Sequence, residues 1–270
     1  MTSLLQHENS IRLGTFVCVF VVMAIIEHLA PRRKLHVNKQ KRWFTNFGLV
    51  IVDTITLRLI MPFAAIAVAS ISVEKGWGIF AFTPLPVWLE TIFAIILLDL
   101  LIYAQHVASH KIPLLWRVHK VHHVDRDLDV TSGFRFHPIE IILSMLFKFL
   151  CIIALGAPVI AIFLFEVILN ASAMFNHSNI KLSTSVDSKL RNVIMTPDAH
   201  RVHHSAIQQE TDTNYGFFLS CWDKLFNTYH AQPKLGHDKM TIGLSEHQTE
   251  QPSSLLWCLA LPFQSNKPPK

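Results

Sequence analysis

"IEIILSMLFKFLCIIALGAPVIAIFLFEVILNASAMF" occupies residues 139–175, and its reading fixes the topology around it. The run is long enough for two short apolar helices, and Gly156-Ala157-Pro158 offers a place to fold back. Upstream lies "LLWRVHKVHHVDRDLDVTSGFRFHPIE" (114–140), and downstream lies "TPDAHRVHHS" (196–205). Each holds an HxxHH box. A hairpin that enters and returns puts both boxes on one face of a bilayer.

The rest of the chain suits a membrane protein. Of its 270 residues 51% are hydrophobic and only 16% charged, where a soluble domain has about 25% charged residues. "LGTFVCVFVVMAIIEHLA" (13–30) is long enough to cross a bilayer, which takes roughly 20 residues, and it reads as a retained helix rather than a signal peptide. "FGLVIVDTITLRLIMPFAAIAVASISV" (47–73) is a second span, marked by Asp53, Arg58 and a kink at Pro62. "VWLETIFAIILLDLLIYA" (87–104) is a third. The expected fold is an all-α, integral-membrane bundle of four to five membrane helices with a cytoplasmic, histidine-rich helical cap. Three regions are expected: 1–86 with the N-terminal helices and a basic loop, 87–232 with the catalytic region, and 233–270 as a tail. In that tail "LLWCLALPF" (255–263) lies along the membrane surface.

Side follows from charge. Loop 31–46 carries Arg32, Arg33, Lys34, Lys39, Lys41 and Arg42, whereas 74–86 carries only Lys75. The positive-inside rule places the first loop in the cytoplasm, and counting crossings brings both boxes to the same side. The formal +5 charge sits largely in that loop, so it reads as a membrane-flanking patch and not a nucleic-acid surface. Cys18, Cys151, Cys221 and Cys258 are widely spaced and contain no CxxC, which speaks against a disulfide framework or a cysteine zinc site.

Sixteen histidines are the anomaly. "HVASH" sets His106 and His110 at i and i+4 on one helical face. "HKVHH" gives His119, His122 and His123 at i, i+3 and i+4, read as one helical face, and "HRVHH" gives His200, His203 and His204 with the same spacing. "FNHSN" adds His177. Imidazole suits Fe, Zn, Cu and Ni rather than Mg or Ca. Eight or nine rings exceed one metal and suffice for two with four or five ligands each. Asp99, Asp125 and Asp198 are candidate partners for the rings' outer nitrogens, since ligating histidines usually donate there to a carboxylate or carbonyl. His137 in "RFHPIE" is as fit for such a lining role as for ligation. Asp53 and Arg58 read as functional intramembrane charges or, at least as well, as a helix-end snorkel or a mutual ion pair.

HxxxH, HxxHH, a later Asn-His and a final HxxHH on four to five membrane helices resemble the fatty acid hydroxylase/sterol desaturase superfamily. "RFHPIE", "TPDAHRVHHS" and "NYGFFLSCWDKLFNTY" are similar to its bacterial sterol-desaturase-like and alkylglycerol monooxygenase branches. The similarity covers Asp99 to about Tyr229. It implies a non-haem di-iron oxygenase, with two Fe ions (or Zn in a purified form) on His106, His110, His119, His122, His123, His200, His203 and His204, and on His177 through the Asn-His position. It further implies a lipid substrate and O2. The sequence holds no HPGG haem motif and no GxGxxG for a flavin or nicotinamide, so the electrons are expected from a separate donor protein. Hydroxylation of an aliphatic C–H bond is the expected reaction, with lipid desaturation as the alternative, in a bacterial inner membrane. A membrane metal-ion transporter remains as a reading from another class. Its ligands belong near the bilayer midplane, whereas these boxes follow the apolar runs. A bis-histidine haem cytochrome gives no reason for the doubled HH pairs.

Overall fold

The computed structural model describes residues 7–61, 64–83 and 85–264. Helix α1 (Glu8–Leu29) is followed by α2 (Lys39–Ile60), α3 (Ala65–Glu74), α4 (Val87–Lys111) and α5 (Pro113–His123). The hairpin is α6 (Pro138–Leu155) and α7 (Val159–His177). Shorter elements include α8 (Thr184–Leu190), α9 (Pro197–His203) and, near the end, α10 (Leu255–Ala260). Among the described residues no strand forms; the extended contacts are isolated bridges such as Pro31 with Ile180. The protein is an all-α bundle. Five stretches are long and apolar enough to cross a membrane: Glu8–Leu29, Lys39–Phe82, Val87–Lys111, Pro138–Leu155 and Val159–His177.

The apolar runs become helices because a lipid environment leaves backbone groups no other partner. Their outer faces stay uncovered by protein. On α1, Leu13, Val17, Val21, Ile25 and Leu29 recur every fourth residue and are all exposed, a stripe suited to acyl chains. The inner faces meet in a core of Ala94, Leu98, Ile102, Ile152, Leu155, Ile162 and Phe165. The hairpin turns at Gly156, which caps α6 in the left-handed region at φ 65°. A side chain there would collide with the Trp77 carbonyl, so glycine serves both the turn and the close approach. The second span breaks between Ile60 and Ala65; the kink expected at Pro62 lies outside the described residues.

Five helix ends converge at the other end of the bundle. The α1 end is tied to the α7 end through Arg32 N–H donating to Asn179 O (2.7 Å). Arg42, in the first turn of α2, is fully buried and grips the loop after α5. Its Nε donates to Asp125 Oδ1 (2.8 Å), one terminal nitrogen to Asp125 Oδ2 (2.9 Å) and the other to Asp129 Oδ2 (2.8 Å). Arg135, also fully buried, donates to Val121 O, Asn46 Oδ1 and Pro252 O. The basic loop is therefore more than a charge flag: Arg32 pairs with Asp198 and Asp238, and Arg33 donates to His237 O and Met240 O. The tail 255–263 folds back onto this layer. Cys258 and Leu261 are buried with Leu49, Val121 and Val124, while Leu256 and Phe263 remain exposed.

Candidate metal centre

Four elements deliver nine histidines to one buried layer. Helix α4 runs unbroken from the apolar span to Lys111, so His106 and His110 ride its last turns. Ile112 and Pro113 turn the chain into α5, with Pro113 at the first helical position, where its missing N–H is harmless. His177 is the last residue of α7. The Thr196 side chain caps α9, which carries His200 and His203, and His204 closes it.

The rings form two groups, each with ligand nitrogens within 4.8 Å of one another. One is His106, His110, His119, His123 and His203; the other is His122, His177, His200 and His204. Helix geometry explains the division. At about 100° per residue, the outer two histidines of an HxxHH box project within about 40° of each other. The middle one diverges by about 60° from the first and 100° from the third. Hence His119 and His123 join one group and His122 the other, while His200 and His204 join the second group and His203 the first. The boxes exchange middle residues, and His123 stacks on His204 with ring centroids 4.5 Å apart.

The donor set fits metal ions. In the smaller group, His177 Nε2 lies 3.0 Å from His122 Nε2, 3.0 Å from His200 Nε2 and 3.2 Å from His204 Nε2. One ring nitrogen offers a single proton or a single lone pair, so these are not three hydrogen bonds. They match nitrogens at right angles around a metal with bonds of about 2.1 Å, which stand about 3.0 Å apart. In the larger group, Nε2 of His110, His119, His123 and His203 is buried without a hydrogen-bond partner. The outer nitrogens of four rings are engaged by backbone carbonyls. Nδ1 donates to Tyr215 O from His106 (2.7 Å), to Thr213 O from His203 (2.7 Å), to Ala173 O from His177 (2.7 Å) and to Arg135 O from His122 (3.2 Å). Each bond fixes the tautomer that leaves Nε2 free to ligate. Burial, reinforced by the neighbouring rings, lowers His122, His123, His200 and His204 well below the ordinary imidazole value. Burial lowers His203 to about 3. Burial thus favours the neutral form of these five rings, the state a metal binds.

The three aspartates expected to serve the rings' outer nitrogens are bonded to other groups instead. Asp125 is held by Arg42, which with Arg135 overrides the upward push of burial and keeps its carboxyl well below the usual range. Asp198 pairs with Arg32 and Arg201. Asp99 accepts from Phe218 N, Leu219 N and Trp222 Nε1. Its contribution is indirect: with Asp223, which accepts from Tyr215 N and Gly216 N, it fixes the loop whose Tyr215 carbonyl orients His106. The carboxylates near the rings are Glu140, 2.5 Å from His119 Nδ1, and Asp212, 3.4 Å from His110 Nδ1. Glu140 stands in the quoted "RFHPIE", and only the fold brings it to His119. His137 is in neither group; it caps α6 through Ile139 N–H and faces Leu259 O. Asp53 is buried with Oδ1 unpartnered, and among the described residues it makes no ion pair with Arg58.

A cavity of about 340 Å³ reaches this layer from among the helices, within the usual size range of ligand pockets. Its lining includes His106 and His119 from one group and His122, His177 and His200 from the other. Leu57, Ile102, Phe134, Met145, Leu169 and Phe217 make its walls largely apolar.

Comparison with known proteins identifies a family and several relatives. A family model described as fatty acid hydroxylase matches residues 91–228. An ornithine lipid hydroxylase, OlsE, from Rhizobium tropici is 26% identical over 81% of the chain and 67% of its own length. The alkylglycerol monooxygenase of Homo sapiens is 25% identical over 53% of the chain, and that of Caenorhabditis elegans 31% over 52%. The chain spans only 30% and 27% of those two proteins. No solved structure matches the chain.

Proposed function

The chain belongs to the fatty acid hydroxylase family, and on that premise we propose that it is a membrane-bound, O2-dependent di-iron enzyme that hydroxylates an aliphatic C–H bond of a lipid. The observation that carries this reading is the pair of buried imidazole groups opening on one apolar cavity. The relatives, named a lipid hydroxylase and alkylglycerol monooxygenases, support a lipid substrate.

His106, His110, His119, His123 and His203 would hold one ion, and His122, His177, His200 and His204 the other. When bound, two iron ions supply the oxidising power that no side chain has. Overall, R–H, O2, two electrons and two protons give R–OH and water, the electrons coming from a separate donor protein. The chain's own tasks are binding and exclusion. The apolar walls take the lipid tail directly from the bilayer side. The carbonyls of Tyr215, Thr213, Ala173 and Arg135 hold their rings in the ligating tautomer. Burial of the whole layer keeps bulk water from the reacting carbon.

With 18O2 and a reconstituted electron donor, the product lipid, or an aldehyde derived from it, should carry one labelled oxygen by mass spectrometry. A new double bond without label would reassign the reaction to desaturation, and turnover without O2 would end the oxygenase reading.

The histidine layer is proposed to face the cytoplasm of a bacterial inner membrane. The basic loop 31–42 supports this, because Arg32 and Arg42 pair with Asp198 and Asp125 at the histidine end of the bundle. A single cysteine placed at position 236 on a cysteine-free background should resist a membrane-impermeant maleimide in intact cells. Strong labelling from outside would reverse the orientation.

A further inference from the structure

The cavity's charged groups are unevenly partnered. Its cation, Lys148, is already spent on Glu166 (2.9 Å), which also pairs with Arg12. Of its two amides, Asn170 donates through Nδ2 to Glu166 O (2.9 Å). By contrast, three acceptor oxygens on its lining have no hydrogen-bond partner: Asp53 Oδ1, Glu140 Oε2 and Gln105 Oε1. They come from three helices, α2, α6 and α4. Asp53 is 7% exposed and Glu140 9%, so neither group relies on bulk water. Buried acceptors are normally satisfied, and buried carboxylates normally paired.

We propose that Asp53 and Glu140, flanked by Gln105, form a niche that binds a protonated amine on the substrate lipid. This rests on the lipid-oxidation reading of the cavity and narrows its substrate class to lipids that carry an ammonium group with N–H donors. An ammonium supplies what is missing: up to three donors and a positive charge facing two carboxyls at low dielectric, where such attraction is strong. A hydroxyl supplies a donor without charge. A quaternary ammonium supplies charge without a donor. Glu140 also has a fixed duty to His119 through Oε1, which leaves Asp53 as the member free of the histidines and the one to alter.

The test is equilibrium binding to the full-length, metal-loaded protein in neutral phosphatidylcholine nanodiscs, with empty discs subtracted, without O2 or reductant. The probes share one chain: hexadecylammonium, hexadecyltrimethylammonium and hexadecanol. Hexadecylammonium should bind at least about tenfold more tightly than either of the others, as expected for hydrogen bonds to charged groups. Asp53→Asn should abolish that preference while leaving hexadecanol binding and metal content unchanged. Equal binding of the three probes to the unaltered protein would overturn the niche, as would a preference that survives Asp53→Asn. The outcome is separable from the enzymatic reading. Ammonium preference in a protein that oxidises no lipid keeps the niche and ends the hydroxylase proposal. Lipid oxidation without ammonium preference ends the niche alone.

Discussion

Replacing His177 with alanine is expected to lower lipid oxidation by more than about 100-fold, beyond the 10- to 100-fold cost of losing a partner that merely orients a ligand. Its Nε2 is the nitrogen from which His122, His200 and His204 are all measured at 3.0 to 3.2 Å. Without it, the four-histidine group keeps three rings around a gap. Metal analysis of the variant should show loss from that group while the five-histidine group stays loaded. The helix should survive, since His177 is the last residue of α7 and its Nδ1 bond runs only to Ala173 O one turn back. Turnover within tenfold of the parent would remove His177 from the metal centre.

Arg42→Ala is expected to destabilise the folded protein by about 3–5 kcal/mol, the usual effect of removing one partner from a buried ion pair. The substitution strands two carboxylates, Asp125 and Asp129, both 1% exposed and so shielded from bulk solvent. Arg42→Lys should recover only part of the loss, because an ammonium cannot reproduce the two-point grip on Asp125. Thermal unfolding in detergent, followed by retention of monodisperse protein, provides the measurement. A midpoint unchanged in the alanine variant would show that the Arg42 network is incidental to the fold.

What the sequence disclosed and what it hid divide along physical lines. Helical periodicity is local, so the apolar spans, the turn at Gly156 and the facing of each histidine pair were legible. Spacing alone also implied enough rings for two metals. It did not reveal that each box sends its middle residue to the opposite group, because that depends on where α5 and α9 sit relative to each other. Nor did proximity in sequence identify the carboxylates. Asp125 and Asp198 are neighbours of histidines along the chain, yet arginines from the loop 31–42 capture them. Glu140 and Asp212 reach the rings across 21 and 102 residues. Charge counting read Arg32, Arg33 and Arg42 only as a membrane-flanking patch, since their partners lie 83 to 207 positions away. Asp53 could be read locally as a functional intramembrane charge or as half of an ion pair, and only the fold turns it toward the cavity.

The central claim is that the nine histidines hold two non-haem metal ions in separate groups of five and four. Metal content of protein purified without chelator, expressed per chain and read together with the visible spectrum, tests it most directly. Two iron ions per chain and no Soret band are expected, with His177→Ala retaining one. A single ion per chain in the parent protein, or a Soret band, would contradict it.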